Sequence, residues 1–208
     1  MVSELRGESV IRSSRHSEAL GSRAALLFGF VGLMWLVFVL DSIFGGALPI
    51  TGIIPRSSAG LPGIIEAPFI HANLHHIVAN TIPLLILGAL ILVRGAGEFL
   101  MVIQMSMLVG GFGTWLFGAH GAHVGASGIV FGFIGFLLFR SVYDRRLSSF
   151  FMTLVVAFLY GGSIALTILP SAGISWTSHA FGFLGGILAA RFRYGSRTVP
   201  SGLSPARR

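Results

Sequence analysis

Ser127 stands in the run Gly125-Ala126-Ser127-Gly128, where small residues lead up to a hydroxyl and an apolar stretch, Ile129 to Leu138, follows it. A serine attacks a carbonyl only when a nearby base takes its proton, and His179 is the base its chemistry calls for. Glycine-rich backbone ahead of Ser127 would place the hydroxyl and the free N–H groups of a helix start together, where a developing oxyanion is stabilised. Of the seven acidic residues (Glu4, Glu8, Glu18, Asp41, Glu66, Glu98 and Asp144), only Asp41 and Glu66 belong to the same side of the chain as His179. Neither is placed to orient it, so a Ser–His dyad is expected rather than a triad with a carboxylate.

The elements that must carry these groups lie in lipid. The chain has 208 residues, of which 54% are hydrophobic and 10% charged, with mean hydropathy +0.86. A soluble domain would carry roughly a quarter charged residues. The 29 glycines suit close packing of membrane helices. The absence of cysteine excludes disulfides, thiolate metal sites and a cysteine nucleophile. The net charge of +7 comes from arginine alone, which points to a GC-rich bacterial genome. These arginines sit at helix ends and in the tails, so they read as orientation signals facing anionic lipid and not as a nucleic-acid surface.

Six runs have the length to cross a bilayer, approximately 24–43, 74–93, 99–118, 127–143, 149–169 and 177–194. A polar segment, 1–23, precedes them and a tail, 195–208, follows. No small-residue cleavage site closes the first run, so it reads as a span rather than a leader. On this layout 13 of the 14 basic residues fall on one side, with only Arg56 on the other. Both termini are then cytoplasmic, and the expected location is the inner membrane of a bacterium. Segment 45–73 is too long and apolar for a simple turn. Its Ile64, Ile65, Phe69 and Ile70 suggest a partly submerged outer loop.

With that orientation, the second, fourth and sixth runs descend from the outside, and each carries polar residues near its outer start. Asn80 precedes Arg94 by 14 residues, Ser127 precedes Arg140 by 13, and His179 precedes Arg191 by 12. These separations correspond to about 21, 20 and 18 Å of helix. Against roughly 30 Å of hydrocarbon, all three lie about 10 Å below the outer surface. Polar side chains at one shared depth converge on the bundle interior or a wet cavity and mark a functional site.

Gly125-x-Ser127-Gly128, His71-x4-His76-x3-Asn80 and His179-x2-Gly182-x3-Gly186, in this order, resemble the motifs of rhomboid intramembrane serine proteases in their minimal six-helix form. The resemblance covers roughly residues 24–194 and implies an all-α bundle of six transmembrane helices that cleaves single-pass membrane proteins within the bilayer, without a cofactor. It implies Ser127 as nucleophile and His179 as general base. His76, Asn80 and the Ser127 N–H would form the oxyanion hole. Gly125, Gly128, Phe131, Gly182 and Gly186 would pack near the site. Many members carry a tyrosine where Phe131 stands, and the Trp-Arg pair common in their first loop is not evident here. Lateral substrate entry past the fifth run and loop 170–176, with Pro170 and Gly173, is a further implication.

Two other classes compete. Six histidines (71, 75, 76, 120, 123 and 179) fall on or near the outer side, and His71-x3-His75 and His120-x2-His123 have ligand-like spacings. Against a metal enzyme or transporter, His-Glu-x-x-His is absent, no outer carboxylate joins the cluster, and no thiolate exists. A non-proteolytic client-binding relative would typically lose the serine or histidine, and both are kept. His71 reads as a brace between the loop and the second run, His75 as an interface residue, and His120 and His123 have no assigned role. Trp35, Trp115 and Trp176 read as interface or packing residues, and Pro83 as a kink.

Overall fold

No proline occurs between Val2 and Ile43, and one helix, α1 (Val2–Ile43), runs the whole way. The computed structural model describes residues 2–48, 50–167 and 175–195, with side chains described for 20–48, 50–162 and 175–195. The polar segment expected to precede the first span is therefore helical and continuous with it, and Leu20–Ile43 is the apolar, membrane-length part. The tail beyond 195, and Pro170 and Gly173, lie outside the described residues. α1 ends where Gly45 and Gly46 take positive φ.

The one-turn helix α2 (Gly63–Glu66) lies in the outer loop. The long helices α3 (Leu74–Leu92), α4 (Ala96–Phe117), α5 (Ser127–Asp144), α6 (Leu147–Thr167) and α7 (Trp176–Tyr194) follow. Leu20–Ile43, α3, α4 and α5 are long and apolar enough to cross a bilayer, so the chain is an all-α membrane protein. α7 has the length but is less apolar, and its packing explains why: it lies against α5 and α4 more extensively than any other helices pair. An interior helix meets protein on most sides and needs small residues more than lipid-facing ones.

The α5–α7 seam is built from those small residues. A Cβ on Gly182 would strike the Gly128 carbonyl, and one on Gly186 the Gly132 carbonyl. Below the seam Phe99, Phe133, Phe136, Leu84, Leu87 and Ile91 are fully buried, and Phe99 meets Phe133 with ring centroids 5.6 Å apart. Phenylalanines on the described part of α6 instead point outward, Phe158 at 88% exposure, as suits a helix facing lipid.

Among the described residues, Arg94, Arg140 and Arg193 meet carboxylates at the bundle end away from Ser127. Asp144 meets Arg94 and Arg140, each at 3.4 Å, and accepts from Ser149 Oγ at 2.6 Å. Glu98 accepts from the Tyr194 hydroxyl at 2.6 Å and pairs with Arg193 at 3.3 Å. Each buried carboxylate thus meets guanidinium where α4 begins and α5 and α7 end.

The outer loop folds back onto the helices. Ile64 is buried against Gly111 of α4 instead of reaching lipid, whereas Ile65 is exposed. Arg56 braces the loop by donating to the carbonyls of Leu116 and Gly118 at 3.2 and 3.0 Å, and Trp115 Nε1 donates to the Ser57 carbonyl at 2.8 Å. The last carbonyls of α4, which lack helical partners, thereby find donors. An arginine and a tryptophan from distant parts of the chain therefore hold this loop.

Candidate active site

Ser127 is the first residue of α5, and His179 lies in the first turn of α7. Gly125 has φ +108, a conformation that a side chain rarely adopts, and this turn delivers Ser127 to the helix start. The N–H groups of a first helical turn have no acceptor within the helix, so α5 itself leaves those of Ser127 and Gly128 without one. At the other element, Ser175 caps α7 through its side chain, which accepts from Ser178 N at 3.4 Å. The glycine seam beneath draws the two helix starts together.

The outcome is a direct contact: His179 Nε2 lies 2.7 Å from Ser127 Oγ. For Nε2 to accept the serine proton, Nδ1 must carry the ring hydrogen. His179 Nδ1 is buried and has no hydrogen-bond partner among the described residues. The imidazole is held by its faces instead. Phe131, one turn into α5, stacks on it with ring centroids 4.3 Å apart and planes within 13°.

His76 and Asn80 close the third side. Asn73 caps α3 by accepting from His76 N at 2.9 Å, and Asn80, buried, donates from Nδ2 to the His76 carbonyl at 2.9 Å. Both side chains crowd Gly125: a Cβ there would sit 2.5 Å from His76 Nε2 and 3.6 Å from Asn80 Nδ2. Gly125, expected among the helix-packing glycines, therefore packs in the loop against His76, because its positive φ leaves only a hydrogen on that side. Gly128, Gly182 and Gly186 lie in the α5–α7 seam.

His71 and His123 also reach the site. His71 is buried, its ring meets that of His76 edge-on at 5.0 Å, and its Nε2 lies 3.5 Å from Ala126 N. Burial, and next the neighbouring His76, push its pKa down to about 4, with a backbone contact at Phe69 opposing. It is therefore a neutral acceptor at the turn before Ser127 as well as a brace for the loop. His123 Nδ1 lies 2.7 Å from Ser175 Oγ, and its backbone pairs with Ile53. His75 and His120 are exposed.

A cavity of about 20 Å³ opens behind this turn, lined by Ser106, His123, Gly125, Gly128 and Ser178 among others. Its size suits a single water. Among the described residues no three of His, Asp and Glu stand close enough to hold a metal ion.

The sequence is similar to those of known proteins. The Rhomboid domain family model matches residues 58–196, from the outer loop through the end of α7. An uncharacterized protein of Mycobacterium tuberculosis is 41% identical over 170 residues, covering 77% of this chain and 71% of that protein. The rhomboid protease GluP of Bacillus subtilis is 24% identical over 177 residues, covering 77% of this chain and 33% of GluP. RHOMBOID-like protein 1 of Arabidopsis thaliana is 31% identical over 127 residues, 58% of this chain and 31% of that protein. The matched region holds every element that brings Ser127 to His179, and the chain belongs to the rhomboid family.

Proposed function

We propose that the chain is a serine endopeptidase that cuts transmembrane segments of single-pass membrane proteins near the outer face of the bilayer. The observation that carries this function is the 2.7 Å approach of His179 Nε2 to Ser127 Oγ, from two helices that meet on glycine. His179 removes the proton as Ser127 Oγ bonds to the scissile carbonyl carbon. The C–N bond then breaks, and His179 returns that proton to the departing amine. A water enters from outside and its oxygen bonds to the acyl carbon as His179 takes one of its protons; the bond to Ser127 Oγ then breaks, and His179 returns that proton to Oγ.

The oxyanion is held by the Ser127 N–H with His76 and Asn80. Burial of the imidazole under Phe131 keeps it oriented without a carboxylate partner. A substrate helix must unwind locally, since its own hydrogen bonds hide the carbonyl, so small or helix-breaking residues near the cut are favoured. The catalytic domain is residues 24–194, with six spans. Segments 1–23 and 195–208 face the cytoplasm of a bacterium whose inner membrane holds the protein. The arginine-rich bundle end opposite the dyad supports this orientation.

The test is cleavage of a model transmembrane substrate by the purified protein in detergent. Activity that survives chelation and disappears in Ser127→Ala, with the variant still folded, is the expected result. Full activity in Ser127→Ala rejects the dyad, and loss on chelation favours a metal enzyme.

A further inference from the structure

Among the described residues, a second side-chain bond accompanies that of the dyad, between the loop before α5 and the cap of α7. His179 Nε2 meets Ser127 Oγ at 2.7 Å, and His123 Nδ1 meets Ser175 Oγ at the same 2.7 Å. His123 precedes Ser127 by four residues, and Ser175 precedes His179 by four. Both bonds therefore span 52 residues and form a matched pair, one in the site and one just ahead of it.

The second bond is anchored. His123 exchanges both backbone hydrogen bonds with Ile53, each at 2.9 Å, so the outer loop holds it. Its Nε2 lies 3.0 Å from the Ala119 carbonyl. A carbonyl only accepts, so Nε2 carries the hydrogen and Nδ1 presents a lone pair. Ser175 then donates its O–H to Nδ1, while its oxygen accepts the Ser178 N–H, the capping bond of α7. Ser175 Oγ also lies 3.4 Å from Thr177 Oγ1, and the chain of bonds runs from the first turn of α7 into the loop that presents Ser127.

The glycine seam alone does not supply this constraint. Contacts of Gly128 with Gly182 and Gly132 with Gly186 set how closely the helix axes approach. Van der Waals contacts of this kind carry no directional preference for one donor–acceptor pairing. A hydrogen bond at the helix start, one turn ahead of His179, opposes both sliding and rotation. We infer that His123 and Ser175 are positioning residues for the reaction, fixing the register of α7 against α5 so that His179 meets Ser127 in line. This role rests on the dyad reading above.

The experiment compares five variants of the full chain in detergent, cleaving a model transmembrane substrate, with thermal stability measured alongside. Ser175→Ala and His123→Phe remove the bond, and each should lower kcat by about 10- to 100-fold with KM within about twofold. Ser175→Thr keeps the hydroxyl and His123→Asn keeps an acceptor at the Nδ1 position, so both should retain kcat within about threefold. The double variant His123→Phe/Ser175→Ala should be no slower than the slower single variant.

Unchanged kcat in both bond-removing variants overturns the role. So do losses that multiply in the double variant, or losses that follow thermal stability alone and are not restored by threonine or asparagine. Ser127→Ala run in parallel separates the two levels. Cleavage that survives it removes the dyad itself, whereas cleavage that vanishes there but persists in Ser175→Ala removes only the positioning role.

Discussion

Phe131 lies flat on His179, centroids 4.3 Å apart and planes within 13°, and the imidazole has no carboxylate on its far nitrogen among the described residues. On the proposed mechanism, a ring face takes the orienting part that a buried aspartate has in triad proteases. Aromatic contacts of this kind contribute about 0.5–1.5 kcal/mol. Phe131→Leu, which keeps bulk but loses the face, should lower kcat by about 2- to 13-fold. Phe131→Tyr should match the parent, because the stacked face is unchanged. Steady-state cleavage of both variants checks this, and equal loss in Leu and Tyr would count against stacking.

His76 and Asn80 approach the turn before Ser127 from α3. If they donate to the oxyanion, His76→Ala and Asn80→Ala should each reduce kcat by about 10²–10³ while KM changes little. Single-turnover measurements separate this from slow substrate entry. A pure KM effect would assign them to substrate binding instead.

The two sides of the glycine seam should not be equally sensitive. A methyl on Gly182 meets the Gly128 carbonyl, which is backbone, whereas a methyl on Gly128 first meets the Ser178 hydroxyl at 2.7 Å, which can rotate. Gly182→Ala should cost about 1–3 kcal/mol of stability and more than about 10-fold in activity. Gly128→Ala should be milder on both. Thermal unfolding and cleavage of the pair test the order.

His71 gives the protein an acid limit. Its folded pKa, about 4, lies below the ordinary 6.5, so the unfolded chain binds the extra proton first. Stability from this group is constant above pH 6.5 and falls as pH drops from there toward 4. Thermal midpoints over this range should decline on acidification, and His71→Asn should flatten that decline. A parent profile that is flat from pH 6.5 to 4 contradicts this account.

At the opposite end, Tyr194 donates to Glu98 at 2.6 Å in a buried setting. Tyr194→Phe should lower stability by about 1.5–3 kcal/mol, as for a hydrogen bond to a charged group, and leave kcat unchanged. A change in kcat at equal folding would mean that this end is coupled to the dyad.

The parts of this architecture legible in the sequence are those set by strong local physics. Apolar runs of spanning length announced the long helices, and the polar residues near the outer starts of three runs (Asn80, Ser127 and His179) announced where to look. Less was legible where long-range packing decides. No local signal in Arg56 or Trp115 shows that they clamp the outer loop to the end of α4, since their partners are backbone carbonyls some 60 residues away. Gly125 read as a packing glycine until its φ of +108 placed it against His76. His123 carried no role because its partner, Ser175, is an ordinary serine; only the equal four-residue offsets from the dyad could have linked them. Ile64 looked lipid-seeking, yet Gly111 offers it a groove in α4.

The dyad is tested most directly by covalent labelling with a fluorophosphonate, mapped by mass spectrometry of the digested protein. The label should appear on Ser127, vanish in Ser127→Ala, and form far more slowly in His179→Ala. Labelling at another residue, or at an undiminished rate without His179, would contradict nucleophilic attack by Ser127 under general-base assistance from α7.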